Sequence, residues 1–561
     1  MNRALLSRPT GALAVLGLLA LAAPASAKVL LDGLITWGNG LGDLLYQCPG
    51  VPNPGVMNGP HNDLSVAPLP GFNGVFPNTD FKPAQTSIAN GDVDDVATLA
   101  YQDADPCNLC GAQRRFTNVC YRGAVDPHDA APDWTHEPWI TYGNFPEVRP
   151  AGWETRAIKF YSGLQPSSHW TADTVRVCQG RVGFPAGTTL VVDPGTLIVG
   201  EGATGPSFVA IERGAKVIMN GTPTNPITGT CDADPPIIGG WGGLVMHGRA
   251  VANCADCLGG ASCASEGDVG ALFCGTDDCD SSGSVTYTRI CYSGIEISPN
   301  NELNTFTQNA LGSRTVISHC ESIQGSDDDF EWFGGLVSDD HLIGIGGGDD
   351  GLDWQMGWRG ACQFAVIQKY ANQGDKGIEA DNNEFNFEAP CRSNPIFANI
   401  TLVGIQDTGS TDTWGIHLRR GTDGQIFNSI ITNFPRQAVN VEHNETMERG
   451  LNPYTASYAC GTRVDAPVVA ASTFGMDVRA FPNPVSRGTS FQFSLPSSGP
   501  ARLDVYDVTG RRVASLMDET NLSAGAHSVE WTPETSLPAG AYFYRLETAS
   551  HPSQGRLVLV R

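Results

Sequence analysis

From residue 180 to residue 445 the chain consists of short β-branched runs broken by Gly, Asn and Asp, with hardly a segment of helical period. Runs at 188–192, 196–199, 208–211 and 216–219 follow one another too closely for helices to fit between them. The later runs align by their alternation. Asp329-Phe330-Glu331-Trp332, Gly351-Leu352-Asp353-Trp354, Gly377-Ile378-Glu379-Ala380, Gly415-Ile416-His417-Leu418 and Ala438-Val439-Asn440-Val441 each read small or turn residue, apolar, polar, apolar. Their leaders Phe330, Leu352, Ile378, Ile416 and Val439 recur at 22, 26, 38 and 23 residues. A period in the low twenties with insertions is one turn of a parallel β-helix, each rung being two or three short strands joined by turns. A second strand recurs in each rung, at 341–343, 364–367, 400–403 and 426–431. The fold expected is all-β, a parallel β-helix whose right hand follows from the crossover preference.

On this register the apolar positions stack inward and the polar position of each strand points out. Neighbouring rungs are about 4.8 Å apart. The outward column then reads Glu331, Asp353, Glu379, His417, Asn440, with Asp327-Asp328-Asp329, Asp349-Asp350 and Asp375 at the adjoining turns. Like charges stacked this closely are unfavourable unless something offsets them. A cation such as calcium, which takes six to eight oxygen ligands, would do so, with Asp328, Asp329, Glu331, Asp350, Asp353 and Glu379 as candidate ligands. A raised carboxyl pKa, or Arg359, Lys376 and Arg419 nearby, would also do so. The alternative is that these are solvated turn acids.

Composition narrows the compartment. Asp+Glu 59 against Lys+Arg 34 gives a net charge of −25, a repulsive field for nucleic acid or an anionic membrane. Arg3 and Arg8, an uncharged run from Gly11 to Ala23 and the small-x-small triplet Ala25-Ser26-Ala27 read as a signal peptide cleaved after Ala27. No later stretch is long and apolar enough to anchor the mature chain in a membrane. Export places the 16 cysteines in an oxidising space, where most are expected to be disulfide-bonded. Cys107/Cys110 and Cys254/Cys257 are CxxC pairs, read as structural disulfides rather than zinc or redox sites.

Several runs resemble a family of secreted bacterial β-helix surface proteins with the pectate-lyase-like solenoid fold. They are 240–245, 299–304, Asp328-Asp329-Phe330-Glu331-Trp332-Phe333-Gly334-Gly335, the stretch from Asp349 to Gly360 followed by Gln363-Phe364, and 377–382. The likeness spans roughly 180 to 405 and implies a fold and a surface location. Phe481-Pro482-Asn483-Pro484, 505–511, Ala524-Gly525, 537–544 and the terminal 556–561 resemble the sorting domain of type IX secretion, also similar to the Ig-like domain of the flagellar hook-capping protein. That resemblance implies an address tag read by the type IX secretion machinery. Alternating strands and regularly spaced turns independently suggest a small Ig-like β-sandwich there.

The organisation expected is a signal peptide at 1–27, an irregular Cys-containing cap over the first rungs at 28–175, the β-helix at 176–465, a linker at 466–475 and the sorting domain at 476–561. In the cap, Trp134, Trp139 and Trp153 are either a carbohydrate platform or packed core, with core packing favoured.

Two functions compete. One is a non-catalytic protein of the extracellular space or outer cell surface, with calcium as a candidate stiffener, that either binds a polysaccharide or cell-envelope glycan or has an adhesive, structural role in the envelope. The other is a calcium-dependent polysaccharide lyase or glycoside hydrolase, with Glu331, Asp353, Glu379, His417 and Arg419 as catalytic candidates and Arg419 or Lys376 as the base of a lyase. The Gly-His-Gly and Arg-Ile-Lys signatures of polygalacturonases are absent, and the acidic charge disfavours polyanionic substrates, so the first reading is preferred.

Overall fold

The computed structural model describes residues 149–447 with short gaps, most of 478–559, stretches between 116 and 141, and four strands before residue 65. It divides into two compact units, Met1–Gly461 and Thr462–Arg561.

The first unit is a right-handed parallel β-helix built on one 26-stranded sheet. One stack of strands runs Phe208–Ile211, Leu244–His247, Phe306–Asn309, Phe330–Phe333, Leu352–Gln355, Ile378–Ala380, Ile416–Leu418 and Gln437–Val441, every neighbour parallel. Its register is the one the alternation predicts, with Phe330 opposite Leu352, Leu352 opposite Ile378, Ile378 opposite Ile416 and Ile416 opposite Val439. These leaders are buried, and so are Trp332 and Trp354 two positions on. Inside the coil Trp332 stacks on Trp358 at 4.4 Å and Trp354 on Phe397 at 5.1 Å. Each such ring contributes about 1.5–3 kcal/mol through burial, which makes the interior strip the main support of the outward column. Gly334 and Gly335 end the Phe330–Phe333 strand at φ +71° and +86°, where a Cβ would also collide with Ala252 and Leu311.

The other faces come from longer strands, Gly283–Cys291, Val316–Ile323, Ser338–Ile345, Ala361–Gln368 and Ile396–Val403. Each bends at one residue of positive φ: Tyr287, His319, His341, Phe364 and Asn399. One left-handed residue per strand turns the chain from one face of the coil to the next, and Tyr287, His319 and His341 stack in turn, with Phe364 tilted against His341.

Two boundaries differ from the expectation. The coil begins before residue 176, because Ala157–Leu164 already pairs in parallel with Thr174–Phe184. The early strands do not cap the first rungs. Val29–Asp32, Ile35–Trp37 and Gly42–Tyr46 pair with Gly424–Phe427, Ile430–Thr432 and Gln437–Val441, adding a rung at the far end. An open solenoid end presents unpaired backbone N–H and C=O groups, and these strands satisfy those of the last rung. The chain then returns along the side of the coil. Gly123 N–H donates to the Asn428 carbonyl, Trp134 meets His341, Thr141 N–H donates to Glu321 and Arg149 to the Ala233 carbonyl, at progressively earlier rungs.

The second unit has a three-stranded sheet, Arg479–Phe481, Thr489–Leu495 and Gly525–Trp531, and a four-stranded one, Arg512–Leu522, Gly499–Tyr506, Gly540–Thr548 and Ser553–Leu559. Both are antiparallel. Phe491, Phe493, Leu503, Val505, Trp531 and Tyr544 share one core between them. The expected signal peptide at 1–27, the Cys107/Cys110 pair and the expected linker at 466–475 lie outside the described residues.

Candidate cation site on the outward column

The strand register aligns Glu331, Asp353, Glu379, His417 and Asn440 on consecutive rungs. Their side chains point away from the coil interior, yet they are not solvated. Glu331 is 4 % exposed, Asp353 9 %, Glu379 6 % and His417 4 %. Burial changes the chemistry of the column, because each carboxylate now needs a partner within the protein.

At one end the partners are basic. Lys376 Nζ lies 2.7 Å from Glu379 Oε1 and 3.8 Å from Asp350 Oδ1, and it also contacts Asp375. Arg419 bridges Glu379 and Asp381, with 2.8 Å from its Nε to Asp381 Oδ1, and Arg420 takes the other Asp381 oxygen at 2.7 Å. His417 Nε2 is 3.0 Å from Glu442 Oε2. Burial, then the Lys376 charge, pushes His417 down to about 4, so the ring is neutral.

At the other end the partners are amides or nothing. Glu331 accepts from the side-chain amides of Asn304 and Gln355, the latter at 2.9 Å. Asp328 accepts from the Asp350 backbone N–H at 2.7 Å. Asp353 Oδ1 is buried without a hydrogen-bond partner. Oxygens of Asp328, Glu331 and Asp353 all lie within 4.8 Å of one another, and so do those of Asp327, Asp328 and Asp349. The two sets share Asp328 and form one cradle. Burial first, then the neighbouring carboxylates, pushes Asp328, Glu331 and Asp353 well above the usual carboxylate range. Asp327 is raised to about 8 by burial and by Asp349, and Asp349 to about 7 by Asp350 and then burial. A third set, Asp349, Asp350 and Asp375, is the one Lys376 already serves.

The cradle has the donor set a hard divalent cation takes, carboxylates from neighbouring rungs, with Asp328, Glu331 and Asp353 buried, Asp327 half-buried and Asp349 exposed. Three of the six sequence-derived ligands belong to it, Asp328, Glu331 and Asp353. Glu379 and Asp350 are held instead by Lys376 and Arg419. Asp329 is a correction. Its carboxylate turns away, accepts from Ser322 Oγ at 2.5 Å and packs against Gly344 and Gly347, because it starts the strand on the opposite side of the turn. Arg359 is also elsewhere, fully buried in an ion pair with Asp278 at 3.2 Å. Asp327 and Asp349 join the cradle as well, and their 22-residue separation, the same as that of Phe330 and Leu352, is the sequence signal that marks them.

The sequence family described as a pectate-lyase-like β-helix domain matches residues 165–466, more than half of the chain. The chain belongs to that family. No curated protein matches it. Among solved structures the tailspike protein of Acinetobacter phage vB_ApiP_P1 is similar at 10 % identity and a TM-score of 0.18, over 72 % of this chain and 73 % of the tailspike.

In this pectate-lyase-like β-helix the remaining expectations resolve as follows. Trp139 is fully buried, edge-on to His319 and Tyr287, and Trp134 donates to the Ala124 carbonyl, so both are packing residues. Trp153 packs half-buried beside Val175, Val177, Leu197 and Val199. The Cys254/Cys257 pair forms two crossing disulfides, Cys254–Cys263 and Cys257–Cys274. Cys279 and Cys391 are disulfide-bonded as well, whereas Cys178, Cys231, Cys291, Cys320 and Cys362 in the coil are buried free thiols. They occupy strand positions as small apolar side chains. Among the described residues no helix is long and apolar enough to cross a membrane.

Proposed function

We propose that this chain is a non-catalytic β-helix of the extracellular space or outer cell surface, whose coil is braced by calcium at Asp328, Glu331 and Asp353 and whose partner is a polysaccharide or envelope glycan. The observation that carries the reading is Asp353 Oδ1, buried and without a hydrogen bond among carboxylates that, among the described residues, form no ion pair with Lys or Arg. Calcium bound there would offset the stacked charge across two rungs and tie their turns together. The leader at 1–27 and the resemblance of 476–561 to a sorting domain support export through the type IX machinery, with the tag read at the outer membrane. The net charge of −25 favours a neutral glycan over a polyuronate.

The competing reading is a lyase or hydrolase working from the same carboxylates. Its support is that carboxyls this close, with pKa values raised by burial and by one another, can share acid and base roles. Against it, Arg419 and Lys376 are each held by two or more carboxylates and do not offer a free base for a lyase. Incubating the full chain with neutral and acidic polysaccharides, with and without calcium, tests both. The proposal expects retention on an immobilised glycan with no shortening of the polymer; new reducing ends or unsaturated products would overturn it.

A further inference from the structure

On the opposite side of the rungs from the acid column, two adjacent strands place imidazoles at the same corner. Val316–Ile323 and Ser338–Ile345 pair with Ser318 opposite Asp340, and each bends at its fourth residue, His319 at φ +54° and His341 at φ +51°. The rings stack at 4.3 Å with 9° between their planes. Asp340 flanks the stack. Its Oδ1 is 2.7 Å from His341 Nδ1, 3.9 Å from His319 Nδ1 and 2.5 Å from Ser318 Oγ.

The corner itself does not require this chemistry. The equivalent bends on other rungs are made by Tyr287, Phe364, Asn399 and Asn428, and the position of Asp340 is taken by Ser318, Gln363 and Ala398 on its neighbours. Two imidazoles and one carboxylate converge only here among the described corners.

We propose that His319, Asp340 and His341 form a binding site for a borderline divalent transition metal of the zinc class. Two imidazoles and a carboxylate are a donor set such ions take, and hard ions such as calcium do not seek the imidazoles. A tetrahedral ion with bonds of about 2.0–2.1 Å holds its donors roughly 3.3 Å apart, a separation the two nitrogen–oxygen distances bracket. The side chains are 21 %, 47 % and 25 % exposed for His319, Asp340 and His341, so the ion can enter and its fourth position is left to water. A metal lies in the plane of each ring it binds, so chelation turns one imidazole out of the parallel stack. Trp134 is edge-on to His341 at 5.0 Å and Trp139 to His319 at 5.7 Å, so their fluorescence reports that movement.

The test is calorimetric titration of the chelator-treated full chain with zinc chloride in excess calcium, which keeps the acid cradle from competing. His319→Asn and His341→Asn are the variants of choice, because the coil already uses asparagine at this bend in Asn399 and Asn428. One zinc per chain is expected, with a tryptophan fluorescence change. Affinity should fall at least tenfold in either variant, with the fluorescence change lost. Equal zinc affinity in the wild type and both variants, or no binding at all, would overturn the proposal. X-ray absorption of the zinc-loaded wild type gives a readout independent of variant folding: a nitrogen and oxygen shell with two imidazoles supports it, and a sulfur or all-oxygen shell overturns it.

Discussion

Glu331 and Asp353 face one another on adjacent rungs of the coil, and among the described residues neither makes an ion pair. One rung further along, Glu379 has both Lys376 and Arg419. Among the described residues the same outward column is thus ion-paired at one end and held only by amide hydrogen bonds at the other.

At a pH high enough to ionise both, removing one of the two charges should therefore stabilise the calcium-free protein. Asp353→Asn keeps the shape of the side chain and relieves the repulsion by about 1–2 kcal/mol, read as a higher urea midpoint in chelator. In saturating calcium the order should reverse, since an ion present at 100 times its dissociation constant adds about 2.7 kcal/mol to the wild type.

The pH dependence has a fixed sign. Asp328, Glu331 and Asp353 have folded pKa values raised above the unfolded one, as have Asp327 at about 8 and Asp349 at about 7. Such groups favour the folded state most below the unfolded carboxyl pKa of about 4, and that advantage is lost as pH rises towards the folded values. Without calcium, stability should fall between about pH 4 and pH 8. With calcium the slope should flatten, because the bound ion restores the charged form. Denaturant melts at several pH values, with chelator and with calcium, measure the difference.

Asp339 gives a prediction independent of any ion. It points into the coil, accepts from Gln308 Nε2 at 2.7 Å and Trp332 Nε1 at 3.1 Å, and is pushed by burial to about 8. Its Oδ1 and Gln308 Oε1 are both buried acceptors without a donor. A proton on Asp339 Oδ1 supplies one. Asp339→Asn supplies the donor permanently, so it should raise stability by about 1 kcal/mol at pH 8 and have little effect at pH 4. Equal effects at the two pH values would contradict the assignment.

The Arg359–Asp278 pair predicts the opposite outcome. Both side chains are fully buried, and Asp278 also accepts from the Val251 N–H. Arg359→Met strands a buried carboxylate and should cost about 3–5 kcal/mol. Pairing it with Asp278→Asn should recover part of the loss, as a double-mutant cycle in urea would show.

The coil register was legible because alternation is a local property: a strand that faces Phe330 inward must face Glu331 outward. The rung-to-rung pairing of Glu331, Asp353, Glu379 and His417 follows from it without any knowledge of loops. What the alternation does not contain is depth. The column is buried because side chains from elsewhere, among them Asn304, Lys376 and Arg419, close over it, and no period in the sequence announces them. Adjacency to Asp328 groups Asp329 with the cluster, but consecutive residues at the start of a strand diverge. The partnership of Val29–Asp32 with Gly424–Phe427 joins segments almost 400 residues apart with no shared motif. The free thiols of the coil are hidden by a count, since sixteen cysteines behind a leader-like N-terminus suggest pairing until each is placed on its strand.

Calcium titration of the full chain by calorimetry, comparing wild type with Asp353→Asn and Glu331→Gln, tests the central claim most directly. The account predicts saturable binding to the wild type with a rise in melting temperature, and a loss of at least tenfold in affinity in both variants. Absence of calcium binding to the wild type, or binding that both substitutions leave unchanged, would contradict it.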